Sequence, residues 1–257
     1  MLHGSAFSTI YWSYSCPTMN IPDIFERTRI LLGDTALEHL AACHVVVVGL
    51  GGVGGQCADA LARAGIGRLT LIDSDVITHS NINRQLVALQ STLGKAKTDV
   101  IRAHIADINP ACQVVLHQVF LTSDNMAHFL PADADFVIDC IDTVPSKLAL
   151  IVHAHRQGIP VTVSMGAGNR IDPTRVRLAD ISQTTSCPLA RIIRQGLRNQ
   201  GILNGIPTVY SDEPPRSPRP RQDDDNRPTN GTISYLPPMF GLMLASVAVR
   251  HLLKDQL

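Results

Sequence analysis

The feature that most constrains this sequence is a run of four valines, residues 45–48, leading directly into the glycine cluster GLGGVGG at 49–55. Continuous β-branched runs are typical of strands that are buried on both faces of a parallel sheet. The glycines allow a tight turn and the close approach of a phosphate to the next helix; they are Gly49, Gly51, Gly52 and Gly54. The stretch therefore predicts a nucleotide-binding turn.

The rest of the chain alternates between strand-like and helix-like periods. The predicted strands are 44–49, 68–73, 112–118, 135–141, 160–164 and 174–180. The predicted helices are 24–42, 53–65, 93–109, 124–130, 145–158, 187–201 and an apolar core helix within 239–253. Because strand–helix–strand crossovers join parallel strands, this order predicts a doubly wound, Rossmann-like α/β fold with a mostly parallel sheet.

The domain organisation is simple. We expect residues 1–23 to form a disordered extension, because the first 20 residues contain no Lys or Arg and no sustained apolar run, unlike a signal peptide. Residues 24–257 form the single predicted domain, within which the Pro-rich segment 211–231 is predicted to be a mobile loop. The apolar stretch near the C-terminus is too short for a bilayer and carries Arg250, so no stable membrane insertion is expected.

Composition restricts how the chain can bind a polyanion. Lys plus Arg and Asp plus Glu both number 22, so a nucleic acid would have to be held by a local patch. One candidate is a basic helical face with neighbouring loop arginines, comprising Arg191, Arg194, Arg198, Arg216, Arg219 and Arg221. A solvated helix face is the alternative interpretation. The six scattered cysteines contain no C-x-x-C pair, which favours a reduced, cytoplasmic protein over a disulfide or zinc scaffold.

The residues after the second predicted strand bear on which nucleotide the turn accepts. Asp73 ends that strand, where a carboxylate can hydrogen-bond a ribose hydroxyl, so NAD is the first candidate. An NAD enzyme, however, has no evident use for the polar loop that follows, which carries Asn81, Arg84 and Gln85. Considered alone, that loop could equally be solvated surface.

A lysine supplies a second cation. Lys97 lies on the apolar flank of the predicted helix 93–109, four residues before Ile101. The positions predicted to face water are Lys95, Thr98, Asp99 and Arg102. An inward lysine is usually a snorkelling edge residue, but here it would lie beside Arg84 beneath the glycine turn. Two cations suit a triphosphate better than a pyrophosphate, so ATP becomes the expected nucleotide.

Two carboxylates follow the fourth predicted strand, in DCIDT at 139–143. Ligands bind at the carboxyl edge of such sheets, and Mg²⁺ takes one or two carboxylates together with phosphate oxygens. Asp139 or Asp142 is therefore expected to hold Mg²⁺. For Asp142 the alternative is a helix N-cap before Val144.

The motifs GLGGVG, DSD, SNINRQ, GKAK and DCIDT occur in this order within residues 24–165. The set resembles the adenylating domain of the ubiquitin-activating (E1-like) superfamily, which includes the thiamine and molybdopterin sulfur-carrier adenylyltransferases. The resemblance implies these ATP-site residues: Asp73 on the ribose, Asn81, Arg84 and Lys97 on the phosphates, Asp142 on Mg²⁺, and Asp75 and Gln85 lining the site. It also implies a homodimer in which Arg27 or Arg29 reaches the partner subunit's ATP.

Further segments resemble one branch of that superfamily, the tRNA threonylcarbamoyladenosine dehydratases. They are FERTRILLGDTALEHL, ALARAGIGRLTLID, GAGNRIDPTRVRLADIS, PLARIIRQGLR and VYSDEPP. The implied reaction uses ATP to activate the threonyl carboxylate of a modified adenosine beside the anticodon, which then cyclises to an oxazolone. The implied partners are tRNA, a second copy of the chain and a sulfur-relay protein.

Three other functions stay open on the sequence. One is an activator of the C-terminus of a sulfur-carrier or ubiquitin-like protein. Another is an NAD-dependent oxidoreductase, and the third is a scaffold that binds ATP or tRNA without turnover. Cys187 bears on the first, because it stands where the resembling family has Asp. A thiol at a helix N-terminus near Arg191 and Arg194 is expected to be reactive, so Cys187 is either an acyl acceptor or a tolerated substitution.

Overall fold

Seven strands form one sheet at the centre of the part of the chain that the computed structural model describes, residues 23–217 and 230–254. They are β1 (His44–Val48), β2 (Arg68–Ile72), β3 (Gln113–His117), β4 (Phe136–Asp139), β5 (Val161–Ser164), β6 (Val176–Asp180) and β7 (Pro207–Ser211). The spatial order is β3-β2-β1-β4-β5-β7-β6, and every neighbouring pair is parallel except β6 and β7. This confirms the predicted doubly wound, mostly parallel sheet.

The strand order creates a switch point beside β1. The chain runs outward from β1 through β2 to β3 and then returns to β4 on the other side of β1. Val48, at the carboxyl end of β1, is in register with Ile72 of β2 and Asp139 of β4. Crevices at such points are where open α/β sheets bind ligands. The glycine turn follows β1 at this crevice.

Eight α-helices cover the sheet among the described residues. They are α1 (Glu26–Leu32), α2 (Asp34–Ala42), α3 (Gly54–Ala64), α4 (Lys97–Ile108), α5 (Met126–Phe129), α6 (Val144–Arg156), α7 (Pro188–Asn199) and α8 (Leu236–Leu252). Helices α2, α3, α4 and α8 share one apolar core with one face of the sheet. Helices α5, α6 and α7 share a second core with the opposite face. The two cores fix the helix termini at the sheet edges.

The boundaries of two predicted helices were wrong for identifiable reasons. The lead-in segment divides into α1 and α2 at Gly33, whose φ is +83°. Helix α4 begins at Lys97, not at 93, because the preceding residues pair with the chain after β2: Gly94 N donates to Ile77 O and Lys97 N donates to Asp75 O. Thr98, predicted to face water, is buried. Strand β7 was not predicted.

The predicted mobile loop is partly held in place. Ser211 is the last residue of β7, and Glu213 is buried, with Oε2 accepting hydrogen bonds from Ile171 N and Asp172 N at 3.0 and 2.8 Å. Gly231 N in turn donates to Asn169 Oδ1 at 2.9 Å. Residues 218–229 of this loop, and 1–22 of the predicted N-terminal extension, lie outside the described residues.

Helix α8 is the predicted core helix. It buries seven residues, among them Phe240 and Leu244, and packs closely on α3, where Gly241 leaves no room for a side chain: a Cβ there would lie 2.3 Å from Val53 O. None of the helices in 23–217 or 230–254 is long and apolar enough to cross a membrane.

Candidate nucleotide site

The glycine turn is closed to side chains at two positions. A Cβ on Gly49, whose φ is +88°, would lie 2.8 Å from Cys140 O, and a Cβ on Gly54 would lie 1.7 Å from Gly49 O. Val53 occupies the N-cap position of α3 and no side chain caps that end. Backbone N–H groups at an uncapped helix N-terminus attract an anion. The backbone of the turn thus has the features expected of the predicted phosphate site: glycines where side chains would clash, and a helix N-terminus without a side-chain cap.

Replacing Gly54 by alanine tests this turn. We expect ATP binding to weaken at least tenfold, about 1.4 kcal/mol, because the added methyl group forces the turn away from Gly49. Gly55→Ala is the matched control, since its Cβ would meet only Leu50 O, at an ordinary 3.5 Å. Calorimetric titration with ATP measures both. Equal affinities would show that the turn does not hold the nucleotide.

Asp73 fastens the glycine turn to the end of β2. Its Oδ2 accepts a hydrogen bond from Leu50 N at 2.5 Å and its Oδ1 accepts one from Asp75 N at 2.8 Å. The side chain is 8% exposed, and burial raises the pKa of its carboxyl, against the opposing effects of Lys97 and the two N–H donors. The carboxylate thus lies at the crevice with part of its surface still accessible.

The ammonium group of Lys97 lies beside the carboxylates of Asp73 and Asp75. Its inward position was predicted from the apolar flank of its helix. Its Nζ lies 2.7 Å from Asp75 Oδ2 and 3.7 Å from Asp73 Oδ2, and only 6% of its side chain is exposed. Lys95, two residues earlier, is exposed. A cation held between two carboxylates keeps a fixed position, which a snorkelling surface lysine would not.

The loop after β2 places three more predicted residues nearby. Arg84 lies under the turn, its Cγ 3.2 Å from where a Cβ on Gly52 would stand, and its Nη1 donates to Ser80 O at 2.8 Å. Gln85 is 7% exposed with its Oε1 unpartnered. Asn81 Oδ1 accepts a hydrogen bond from Thr78 N, so that side chain shapes the loop. Burial lowers the pKa of Arg84, and the carboxylate of Asp142 opposes this shift.

The two carboxylates after β4 have different surroundings. Asp139 is fully buried and bound internally: its Oδ2 accepts from Lys147 Nζ and its Oδ1 from Ile141 N, both at 2.9 Å. Asp142 is exposed, and Thr143, not Asp142, occupies the N-cap position of α6. The geometry leaves Asp142, of the two, free to contact a ligand.

Arg27 and Arg29 do not lie at this site in their own chain. Phe25, immediately before α1, contacts Gly65 at the carboxyl end of α3, and α3 is 11 residues or about 16 Å long. The glycine turn is at the other end of that helix. Arg27 is exposed, and Arg29 Nε pairs with Asp34 Oδ1 at 2.8 Å. Both arginines therefore lie away from the glycine turn of their own chain.

Cys187 is enclosed, although a thiol at this helix N-terminus was expected to be reactive. It is 6% exposed and belongs to the apolar core under α7. The nearby Arg194 uses Nη1 on Thr184 Oγ1 and Thr184 O, at 2.5 and 3.0 Å. This burial disfavours an acyl-accepting role.

One segment that covers the glycine turn was not predicted from the sequence. Asn83 Nδ2 donates to Thr232 O at 3.0 Å, and Pro237 Cβ lies 3.0 Å from where a Cβ on Gly52 would stand. The residues that lead into α8 therefore lie over the glycine turn and the Arg84 loop. These contacts join residues that are about 150 or more positions apart, for which local spacing gives no indication.

The chain is similar to known proteins over nearly its whole length. A family model described as the ThiF family matches residues 25–257. The tRNA threonylcarbamoyladenosine dehydratase of Bacillus subtilis (strain 168) is 39% identical over 241 residues, covering 90% of this chain and 95% of the relative. The protein of that name from Escherichia coli (strain K12) is 41% identical over 196 residues, covering 74% and 73%.

Solved structures give the same relationship. The crystal structure of the E. coli tRNA N6-threonylcarbamoyladenosine dehydratase in complex with ATP matches with a TM-score of 0.83 and 36% identity, covering 91% of this chain and 95% of that one. The family model, the relatives and the fold agree over nearly all of the described residues. This chain belongs to the ThiF family.

Proposed function

We propose that this protein is an ATP-dependent tRNA threonylcarbamoyladenosine dehydratase. The observation that carries the proposal is the glycine turn with Arg84 beneath it and Lys97 held beside Asp73. Such a site suits a nucleoside triphosphate. The relatives that cover most of the chain bear the dehydratase name, and one solved relative holds ATP. Those relationships favour this reaction over NAD chemistry, for which no hydride-transfer residues are evident.

The reaction follows from the placement of the charged groups. A threonyl carboxylate oxygen attacks the α-phosphorus of ATP, and pyrophosphate leaves. Arg84 and Lys97 stabilise the negative charge that develops on the phosphate oxygens, while Asp73 orients the ribose. The activated carbonyl is then attacked from within the same nucleoside, where effective molarity is high, and AMP leaves. No enzyme nucleophile is needed, in keeping with the buried Cys187.

The residues present fit a magnesium ion carried by the nucleotide. Mg²⁺ commonly binds one or two carboxylates and completes its coordination with phosphate oxygens and water. Asp142 supplies one exposed carboxylate at the carboxyl edge, near Arg84. The described residues contain no cluster of three or more metal-binding side chains, so the ion would depend on the phosphates. Such an ion neutralises charge on the leaving pyrophosphate.

A homodimer would complete the site. Helix α1 buries none of its residues, and its Ile30 and Leu31 are 74% and 80% exposed. Exposed apolar side chains grouped on one helix suit an interface, and docking on a second copy would carry Arg27 or Arg29 toward that copy's nucleotide. The scattered cysteines and the family resemblance support a cytoplasmic location. The resemblance alone supports a sulfur-relay protein as a further partner.

Single-turnover reaction tests the proposed function. The protein is mixed with α-labelled ATP, Mg²⁺ and tRNA that either carries or lacks the threonylcarbamoyl group, and AMP release and nucleoside mass are followed. We expect AMP only with the modified tRNA, together with loss of one water from that nucleoside. If no AMP forms with either tRNA, the proposal is overturned.

Cys187→Ser separates this function from protein activation. AMP formation with modified tRNA should stay within about twofold of wild type, because the thiol lies in the core; burying a serine hydroxyl costs about 1–3 kcal/mol of stability. Thermal unfolding of the same preparation controls for that cost. A protein activator that uses the thiol would instead lose transfer entirely while remaining folded.

A further inference from the structure

Helix α7 presents a row of arginines on its outer face. Arg191, Arg194 and Arg198 are three and four residues apart, so they lie on successive turns and span about 10 Å. The inner face of the same helix is buried through Ile193 and Leu197. The row is therefore fixed to the core of the domain and does not belong to a loose surface segment.

No carboxylate neutralises this row. Helix α7 contains no acidic residue, and no acidic group in 23–217 or 230–254 lies within ion-pair distance of its three arginines. On two other helices of the domain, exposed arginines do have carboxylate partners: Arg63 with Asp59 at 3.0 Å and Arg102 with Asp99 at 3.4 Å. Like charges on adjacent helical turns repel by a few tenths of a kcal/mol. An anionic partner would remove that repulsion.

The shape of the row suits phosphates. The arginines border a shallow groove of about 420 Å³, lined by Arg191, Ile192, Arg194, Gln195 and Arg198. Planar guanidinium groups bind phosphate oxygens through paired hydrogen bonds. Apolar side chains, which dominate the centre of protein–protein contacts, contribute only Ile192 to this lining. The charge of this lining therefore suits an anionic partner better than an apolar protein surface.

The arginine row begins near the carboxyl edge of the sheet, which is the edge that carries the nucleotide site. Arg170 links the two: its Nη1 donates to Gly166 O, just after β5, at 2.7 Å, and its Nη2 to Ser186 O, just before α7, at 3.4 Å. Arg191 therefore lies near the carboxyl edge, and Arg198 lies farther down the side of the domain.

We propose that the α7 arginine row, Arg191, Arg194 and Arg198, binds backbone phosphates of the tRNA strand next to the nucleotide being modified. This inference rests on the proposed function. The reacting nucleoside occupies the crevice, and the adjoining strand leaves the carboxyl edge along α7. About three phosphates can be contacted over the length of the row.

The test uses the exposed ends of the row. Arg191→Gln combined with Arg198→Gln removes two charges and leaves Arg194, which is bonded to Thr184. The matched control is Arg63→Gln combined with Arg102→Gln, which removes two charges from α3 and α4. The dissociation constant for tRNA is measured by fluorescence anisotropy between about 50 and 200 mM salt, together with AMP formation at varied tRNA.

The α7 variant and the control variant should differ clearly in tRNA affinity and in its salt dependence. For the α7 variant, tRNA binding at low salt weakens about tenfold, and the slope of log affinity against log salt falls by about 1.4–1.8, the value for two lost phosphate contacts. The KM for tRNA rises while ATP affinity and kcat at saturating tRNA stay at wild-type values. The control keeps nearly the full salt slope.

An α7 variant with wild-type affinity and salt slope overturns the inference, and that is also the result expected if the row binds an acidic protein. Failure of the proposed function is a different observation: the wild-type protein would form no AMP with modified tRNA. The binding measurement does not depend on turnover, so the two failures are distinguishable.

Discussion

Replacing Lys147 by methionine is expected to lower the free energy of unfolding by about 3–5 kcal/mol, the range for breaking a buried ion pair by removing one partner. Lys147 and Asp139 are both 0% exposed, with Nζ and Oδ2 2.9 Å apart. Methionine preserves most of the side-chain volume but leaves Asp139 as a buried charge without its cation. Urea unfolding measures the change, and a loss below about 1 kcal/mol would contradict it.

A paired variant identifies the charge as the cause. Asp139→Asn with Lys147→Gln keeps an acceptor for Ile141 N and replaces the ion pair by a neutral amide pair. Buried ion pairs replaced as a unit cost far less than those broken on one side. The double variant should therefore be more stable than Lys147→Met alone. If it is less stable, packing and not charge dominates at this position.

The loss of unfolding free energy caused by Lys147→Met should also depend on pH. Burial raises the pKa of Asp139, and Lys147 opposes that rise. Without the lysine, the folded-state pKa lies still farther above the unfolded value of about 3.9. The folded variant then binds this proton more tightly than the unfolded chain does, so its stability falls as pH rises through that window. The deficit relative to wild type should be smaller near pH 4 than near pH 7, and a deficit independent of pH would contradict this reasoning.

Replacing Lys97 by methionine should reduce kcat/KM for AMP formation by about 10²- to 10³-fold, the loss typical for one group that stabilises transition-state charge. The stem of Lys97 is buried, and methionine retains its packing. The substitution removes the only cation within ion-pair distance of Asp73 among the described residues.

Lys95→Met is the matched control, since Lys95 is exposed and lies two residues before Lys97. Its activity should remain within about twofold of wild type. Unfolding measurements on both variants separate catalysis from stability, and ATP titrations separate binding from the chemical step. Activity of the Lys97 variant above about one third of wild type would remove this lysine from the catalytic groups.

The sequence predicted the parts of the site that depend on local spacing. The glycine turn and Asp73 directly follow strand ends, where parallel topology brings side chains to one edge, and Arg84 lies in the loop after β2. The spacing between Lys97 and Ile101 correctly predicted that Lys97 faces inward. The same reasoning was wrong for Thr98, which is buried, because the helix begins at Lys97 and not at residue 93.

The residues alone left Asp139 and Asp142 open as the Mg²⁺ ligand, although the sequence contains a pattern that distinguishes the two carboxylates. Lys147 lies on the same face of α6 as Leu150, Ile151 and Ala154, all of which are buried. A lysine inside an apolar helical face requires a buried carboxylate, and Asp139 is eight residues away. No comparable pattern existed for Thr232 over the Arg84 loop, because that contact depends on how α8 packs against α3.

The switch point beside β1 has a consequence for cooperativity. The turn, Asp73, Arg84 and Lys97 belong to the half of the sheet built on β1–β3, whereas Asp142 follows β4 in the other half. A ligand that contacts both groups loses binding free energy whenever either half opens, so it stabilises both against local unfolding. Slow amide hydrogen exchange should then extend together across β2 and β4 when the crevice is filled.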